Sequence, residues 1–199
     1  MSIISTPHQE RDTLYFHSTP TPVPIFQREW EFAQLLRIYE ARAPGAALEI
    51  GTFHGGTLYH WLRLARPNTI VVSVDSYAAG VDNRHRYAHW TPAGVTLHTL
   101  AGNSRDPSII AQVRALGPFD FVFIDAGHLE HEVQADWEHF GAMCVSGGVV
   151  ALHDIMPAAV DWIEVDRVWE RIQHQGYMTQ ELVCAPDLDW GGIGCVFMR

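Results

Sequence analysis

Four short apolar runs punctuate the chain: Ala46 to Ile50, Thr69 to Val74, Phe119 to Ile124 and Val149 to Leu152. Each is almost unbroken, the pattern of a strand buried on both faces, where alternation with polar residues is lost. Val95 to Leu100 predicts another strand. Between the runs the rhythm changes to threes and fours. Leu58, Trp61, Leu62 and Ala65 share one side of a helix over Thr57 to Arg66, and Leu129, Val133, Trp137 and Phe140 do so over Leu129 to Met143. Asp106-Pro107 opens a further helix that ends near Leu116, with proline in its first turn. Phe26, Trp30, Ala33, Leu36 and Tyr39 predict an amphipathic helix from Ile25 to Ala43, ended by Pro44-Gly45. Tyr177 to Val183 and Ile193 to Met198 are joined by a loop around Pro186-Asp187 and Asp189 to Gly192 with no helix between them, which predicts antiparallel pairing at the end of the sheet. Strand and helix thus alternate into an α/β three-layer sandwich, with a mostly parallel seven-stranded sheet and a C-terminal antiparallel strand.

Composition narrows this picture. With 199 residues, 47% of them hydrophobic, the chain has the size and apolar content of one domain. Residues 1–24 are rich in Thr, Ser and Pro and lack periodicity, so they are read as an irregular arm before a single domain at 25–199. The balance of 23 acidic against 13 basic residues, a formal charge of -10, disfavours a phosphate-backbone binder and with it a nucleic-acid partner. No apolar run approaches the roughly 20 residues that span a bilayer, and the start MSIISTPHQERD lacks the basic flank and apolar stretch of a secretion signal. A cytoplasmic protein with no membrane partner is expected. Cys144, Cys184 and Cys195 form neither a CxxC pair nor an even set, so they are expected to be reduced.

The most informative segment follows the first of these strands: Leu48-Glu49-Ile50-Gly51-Thr52-Phe53-His54-Gly55-Gly56-Thr57. Glycines between a strand and a helix let the backbone approach a ligand at the helix N-terminus. Gly51 and Gly56 have the spacing of a P-loop, but Thr57-Leu58 replaces its lysine, and the GxGxxG of a dinucleotide fold is absent. Glu49 puts an anion at the mouth of the loop, which would repel a pyrophosphate and suit a ligand with an amino group and a sulfonium. Glu49, Gly51, Gly55 and Gly56 match the first motif, [D/E]xGxxxGG, of the class I S-adenosylmethionine (SAM)-dependent methyltransferases, which this segment resembles. The resemblance implies a Rossmann-like fold and a SAM site that includes Thr52. It also assigns Asp75, which closes the second strand, to the ribose hydroxyls, and Gly102-Asn103-Ser104 to the adenine side.

Two further strands end in chemistry-bearing residues: Phe121 to Ile124 runs into Asp125-Ala126-Gly127-His128, and Leu152 into His153-Asp154. Open α/β sheets bind ligands at such carboxyl ends. Carboxylates with a neutral imidazole could hold a hard or borderline divalent ion, with Asp125, His153 and Asp154 as the candidate ligands and Mg as the candidate ion. FIDAGH, a helix, and SGGVVALHD resemble the small O-methyltransferase branch that includes macrocin O-methyltransferase and cephalosporin hydroxylase-like proteins, over about residues 45–172. Metal-using relatives in that branch usually carry an acidic residue where His153 stands. The resemblance makes Asp125 a residue of both cofactor binding and catalysis, and His128, whose ordinary pKa suits proton uptake near neutrality, is the candidate base. His128 to Glu132 is not HExxH, since position 135 is alanine. His85 and His89, spaced i, i+4 without a third ligand, are read as surface or lid residues.

The expectation is a SAM-dependent methyltransferase acting on a hydroxyl of a small molecule, such as a sugar or secondary metabolite, with homo-oligomerisation left open. The alternatives are a SAM- or nucleotide-binding module without transfer and an NAD-dependent oxidoreductase. The acceptor is expected to meet the N-terminal arm, the 76–94 segment and the loop near 187–192.

Overall fold

Each apolar run has two faces to bury and a row of main-chain groups to pair, and only a place inside a sheet satisfies both. A computed structural model describes residues 3–4, 23–76, 83–184 and 190–199. In chain order its elements are β1 (Ile3–Ile4), α1 (Glu29–Arg42), β2 (Ala46–Ile50), α2 (Gly56–Leu64), β3 (Ile70–Asp75), α3 (Arg84–Trp90), β4 (Thr96–Ala101), α4 (Pro107–Leu116), β5 (Phe119–Ile124), α5 (Glu130–Phe140), β6 (Cys144–His153), α6 (Val165–His174), β7 (Met178–Leu182) and β8 (Ile193–Phe197). The sheet order is β1-β7-β8-β6-β5-β2-β3-β4. β8 pairs antiparallel with both β6 and β7, and the other pairings are parallel.

The strand faces divide the interior in two. Leu48, Ile50, Val122, Ile124, Val150 and Leu152 turn toward Val113, Val133, Phe140, Val168 and Trp169 of α4, α5 and α6. Ala47, Val71, Phe121, Phe123 and Ala151 turn toward Phe32, Leu36, Tyr39, Trp61 and Tyr87 of α1, α2 and α3. Alternate residues of one strand feed opposite cores, and this is the three-layer Rossmann-like sandwich expected from the alternation of elements.

Three expectations need correction. The helix expected from Ile25 begins at Glu29, because Arg28 is extended (φ -66°, ψ 132°). Residues 24–28 instead run across the glycine loop. The arm is not irregular throughout. Ile3–Ile4 pairs in parallel with Gln180–Glu181 and adds an eighth strand, since two residues of main-chain pairing leave no periodicity to read. Between Asp154 and Tyr177, where the expected elements include no helix, Val165, Val168, Trp169 and Ile172 bury one face of α6. The rest of the arm, most of the segment after Asp75 (77–82) and the Pro186-Asp187 loop (185–189) lie outside the described residues. Among the described residues no helix is long and apolar enough to cross a membrane.

One buried carboxylate ties α1 to the edge of the site. Glu31 is 1% exposed. It accepts from the Cys184 backbone N–H at 3.1 Å and the Cys184 thiol at 3.4 Å through Oε1, and from the Gly192 N–H at 2.9 Å through Oε2. It thereby grips both sides of the connection between β7 and β8. Arg28 adds a bond to the Trp190 carbonyl at 2.6 Å and stacks 4.5 Å from that indole. Replacing Glu31 by alanine strands the buried Gly192 N–H and the part-buried Cys184 N–H and should cost about 2–3 kcal/mol. Urea denaturation will show the loss; an unchanged midpoint would mean that the connection is held by other contacts.

Candidate functional site

The parallel register brings five strand ends into one row. Ile50 lies opposite Val74 and Ile124, Ile124 opposite Leu152, and Asp75 opposite Ala101. The residues that follow, Gly51, Asp125, His153 and Gly102, therefore emerge side by side with Asp75 along the carboxyl edge. A cavity of about 880 Å³ opens there, lined by Gly51, Thr52, Gly56, Asp75, Gly102, Asn103, Ser104, Asp125, His128, His153 and Asp154, among others. Most of the residues singled out in the sequence thus meet on one cavity.

The glycine loop reaches this edge by close backbone contact. Gly51 has φ 92°, and a Cβ on it would lie 1.9 Å from the Asp125 carbonyl oxygen. A side chain is excluded on both counts. At the start of α2 a Cβ on Gly56 would lie 2.4 Å from the Pro24 carbonyl oxygen, so the segment before α1 rests on the loop. Gly55 makes the left-handed turn into α2 and does not line the cavity.

Glu49 departs from its expected place. It is fully buried behind the loop, on the α1 and α2 side, and is not part of the cavity wall. Trp61 Nε1 donates to its Oε1 at 2.7 Å. Burial pushes its pKa up to about 7, against hydrogen bonding from Thr57, Trp61 and Thr52 that favours the charged form. Its side chain points toward the core because position 49 follows Ala47 onto the same face of β2.

Asp75 accepts a hydrogen bond from the Phe53 N–H, which fastens the glycine loop to the end of β3. Tyr87 of α3 donates to the Phe53 carbonyl at 3.3 Å. His85 and His89 are exposed on the same short helix, away from the cavity wall. Beyond Asn103 and Ser104, α5 contributes two carboxylates that the sequence reading missed. Glu132 pairs with Arg105 at 2.7 Å. Asp136 is buried, and desolvation raises its pKa to about 6 against a hydrogen bond from Ser104 and the charge of Arg105. Their i, i+4 spacing was the available signal.

The strand ends β5 and β6 bring Asp125, His128, His153 and Asp154 together. His153 Nδ1 lies 3.2 Å from Asp125 Oδ1 and 3.3 Å from Asp154 Oδ2, and His128 Nε2 lies 3.0 Å from Asp154 Oδ2 and 4.0 Å from Asp125 Oδ1. Burial opposes charge on His153, but the two carboxylates outweigh it and carry its pKa up to about 10. For His128 the desolvation penalty is likewise outweighed, by the Asp154 hydrogen bond and the Asp125 charge, and its pKa is raised. Burial would lift Asp154, yet hydrogen bonds from both imidazoles hold it well below the usual carboxylate range. The turn carrying His128 is fixed from α6, since the Glu164 N–H donates to the His128 carbonyl at 2.8 Å and the Glu164 carboxylate accepts from Glu130 N–H at 3.0 Å.

Gln27, also missed, reaches into this cluster and donates from Nε2 to Asp125 Oδ2. Nothing marked it in the sequence, because it sat inside a stretch read as helix. Around the mouth stand Phe26, Phe53, Val160, Trp162 and Trp190, five of the six exposed large apolar residues among those described. Trp162 packs edge-on against His128, ring centroids 5.9 Å apart. The apolar opening therefore leads directly to the polar cluster.

Among solved structures the chain resembles an O-methyltransferase from Bacillus cereus in complex with SAH, at 17% identity, a TM-score of 0.66 and coverage of 94% of this chain and 89% of that one. It also resembles TomG of Streptomyces achromogenes, an O-methyltransferase involved in tomaymycin synthesis and solved with SAM, at 15% identity, TM-score 0.66 and coverage of 94% and 87%. A third is a putative caffeoyl-CoA O-methyltransferase from Staphylococcus aureus, at 16% identity, TM-score 0.66 and coverage of 94% and 90%. At these identities the likeness establishes the fold. No curated protein matches the sequence. Residues 48–155, more than half of the chain and the part that carries the glycine loop, Asp75 and the Asp125–Asp154 cluster, match the methyltransferase-domain family, and the chain belongs to that family.

Proposed function

We propose that the protein transfers a methyl group from SAM to a hydroxyl of a small molecule. The observation that carries this reading is the single cavity in which the family's glycine loop and Asp75 face the Asp125–His128–Asp154 cluster. The B. cereus and S. achromogenes structures, which hold SAH and SAM on the same fold, support it.

Gly51 and Thr52 would meet the amino-acid end of the cofactor, Asp75 would accept from the ribose hydroxyls, and Gly102, Asn103 and Ser104 would flank the adenine. Glu49 would act from behind by holding Trp61 and the loop. Bound SAM supplies an electrophilic methyl on a sulfonium, displaced in line by the acceptor oxygen while sulfur keeps the electron pair of the broken bond. The chain must hold that oxygen in line and accept its proton. His128 is placed for the second task. With Nε2–H donated to Asp154, Nδ1 is left as the basic nitrogen, and the carboxylate fixes the ring's tautomer.

The acceptor follows from the rim. Trp162 and Phe26 are 60% and 57% exposed on the wall of the cavity that holds the polar cluster. Such a mouth favours a molecule with an apolar, ring-sized face over a free sugar, whose hydroxyls would be stripped of water against indole and phenyl surfaces.

Replacing Asp75 by alanine should weaken SAM binding at least about tenfold through loss of charge-assisted hydrogen bonds, measured by calorimetry. Unchanged affinity would remove the ribose assignment. The variant His128→Ala should lower kcat by about 10²-fold or more and keep SAM affinity within about twofold. Full turnover would exclude His128 as the base. For the variants Trp162→Ala and Trp190→Ala, KM for an apolar acceptor should rise while SAM affinity holds; an unaltered KM would place the acceptor elsewhere.

A further inference from the structure

Asp125 and Asp154 end adjacent parallel strands and face one another on the cavity wall, their side chains 12% and 7% exposed. Two carboxylates so placed repel unless a cation or a hydrogen-bond donor stands between them. A divalent ion is one solution, and Asp125, His128 and Asp154 each offer a ligand atom within 4.8 Å of one another. The hydrogen bonding of the cluster describes another.

Every oxygen of the two carboxylates already accepts from the chain. Asp125 Oδ2 takes the Gln27 amide, and Asp154 Oδ1 takes the Gly191 N–H at 3.1 Å. The facing oxygens, Asp125 Oδ1 and Asp154 Oδ2, share His153 Nδ1 at 3.2 and 3.3 Å, and Asp154 Oδ2 also takes His128 Nε2 at 3.0 Å. An ion bridging the two facing oxygens would have to take the place of the His153 Nδ1 donor that lies between them, and Asp154 Oδ2 already accepts from both imidazoles. His153 sits at the last position of β6, 6% exposed, and its Nε2 has no partner among the described residues, so the carboxylates alone hold the ring's polar edge. Asp154 itself takes a left-handed backbone conformation, φ 60°, which a non-glycine residue rarely adopts and which is maintained by its contacts with Gly191 and the two histidines.

We propose that His153 stands where a divalent ion would otherwise bridge Asp125 and Asp154, so that the site works without metal. His153 is then a positioning residue. It keeps the two carboxylates apart by one imidazole, and Asp154 keeps His128 oriented toward the acceptor. The inference rests on the proposed methyl transfer for its catalytic consequence, while exclusion of the ion stands on the cluster alone.

The test is Mn2+ binding followed by electron paramagnetic resonance, on the chelator-treated full chain and on the variant His153→Asp, with methylation assayed in EDTA and in Mg2+. The native protein should leave Mn2+ free up to about 1 mM, far above the levels at which built carboxylate sites fill. Its turnover should be equal in EDTA and Mg2+. The variant His153→Asp, which removes the bridging donor and adds a carboxylate, should bind Mn2+ at least about tenfold more tightly than the native chain. A residue needed only for packing would not produce that gain. Micromolar Mn2+ binding by the native chain, or turnover lost to EDTA and restored by Mg2+, would overturn the proposal. Should the variant fail to fold, the native titration decides alone. Should SAM fail to bind, the methyl-transfer reading falls while the Mn2+ titration still judges the cluster.

Discussion

The site depends on register. β2, β3, β5 and β6 lie parallel, with Ile50 opposite Val74 and Ile124, and Ile124 opposite Leu152. This alignment alone makes Gly51, Asp125 and His153 neighbours although more than a hundred positions separate the first from the last. A slip of one residue in β5 would turn Val122 and Ile124 out of one core and Phe121 and Phe123 out of the other, so both interior faces enforce the alignment. The contact between Gly51 and the Asp125 carbonyl fixes it locally, because no other residue fits there.

Elements far from the sheet ends then complete the cavity. Gln27 holds Asp125 from the segment before α1, and Gly191 holds Asp154 from the segment before β8. Glu31 binds the chain beside the second of these points, next to Gly191 at Gly192, and across the same connection at Cys184. The polar cluster is therefore braced on two sides by main-chain and amide donors, and the aromatic mouth is carried on the bracing segments. Phe26 precedes Gln27, and Trp190 precedes Gly191. Disturbing the brace should move the mouth and the chemistry together.

The strands and most of the site were legible for a physical reason. A strand buried on both faces writes its position as an apolar run, and its carboxyl end is where a parallel sheet places ligands. Phe119–Ile124 and Ala46–Ile50 have the bounds expected of them, and Asp75, Asp125, His128, His153 and Asp154 meet on one cavity. What the pattern did not carry was direction. Glu49 is one residue from the cavity in sequence, but strand alternation turns it into the core beside Trp61. Phe26 and Trp30 fit a helical stripe, yet the helix starts at Glu29, leaving Phe26 and Gln27 to line the site. A long-range contact such as Gln27 with Asp125 leaves no local trace in either segment. The helix Val165–His174 did leave one, in apolar residues at positions three and four apart, and it was there to be read.

The central claim is that this edge of the sheet is a site for SAM and not for a dinucleotide. Isothermal titration of the purified chain with SAM, with NAD as the control ligand, tests it most directly. The account predicts saturable binding of one SAM per chain and no heat of binding from NAD. Absence of SAM binding, or saturable binding of NAD in its place, would contradict it and leave the glycine loop and Asp75 as the site of some other ligand.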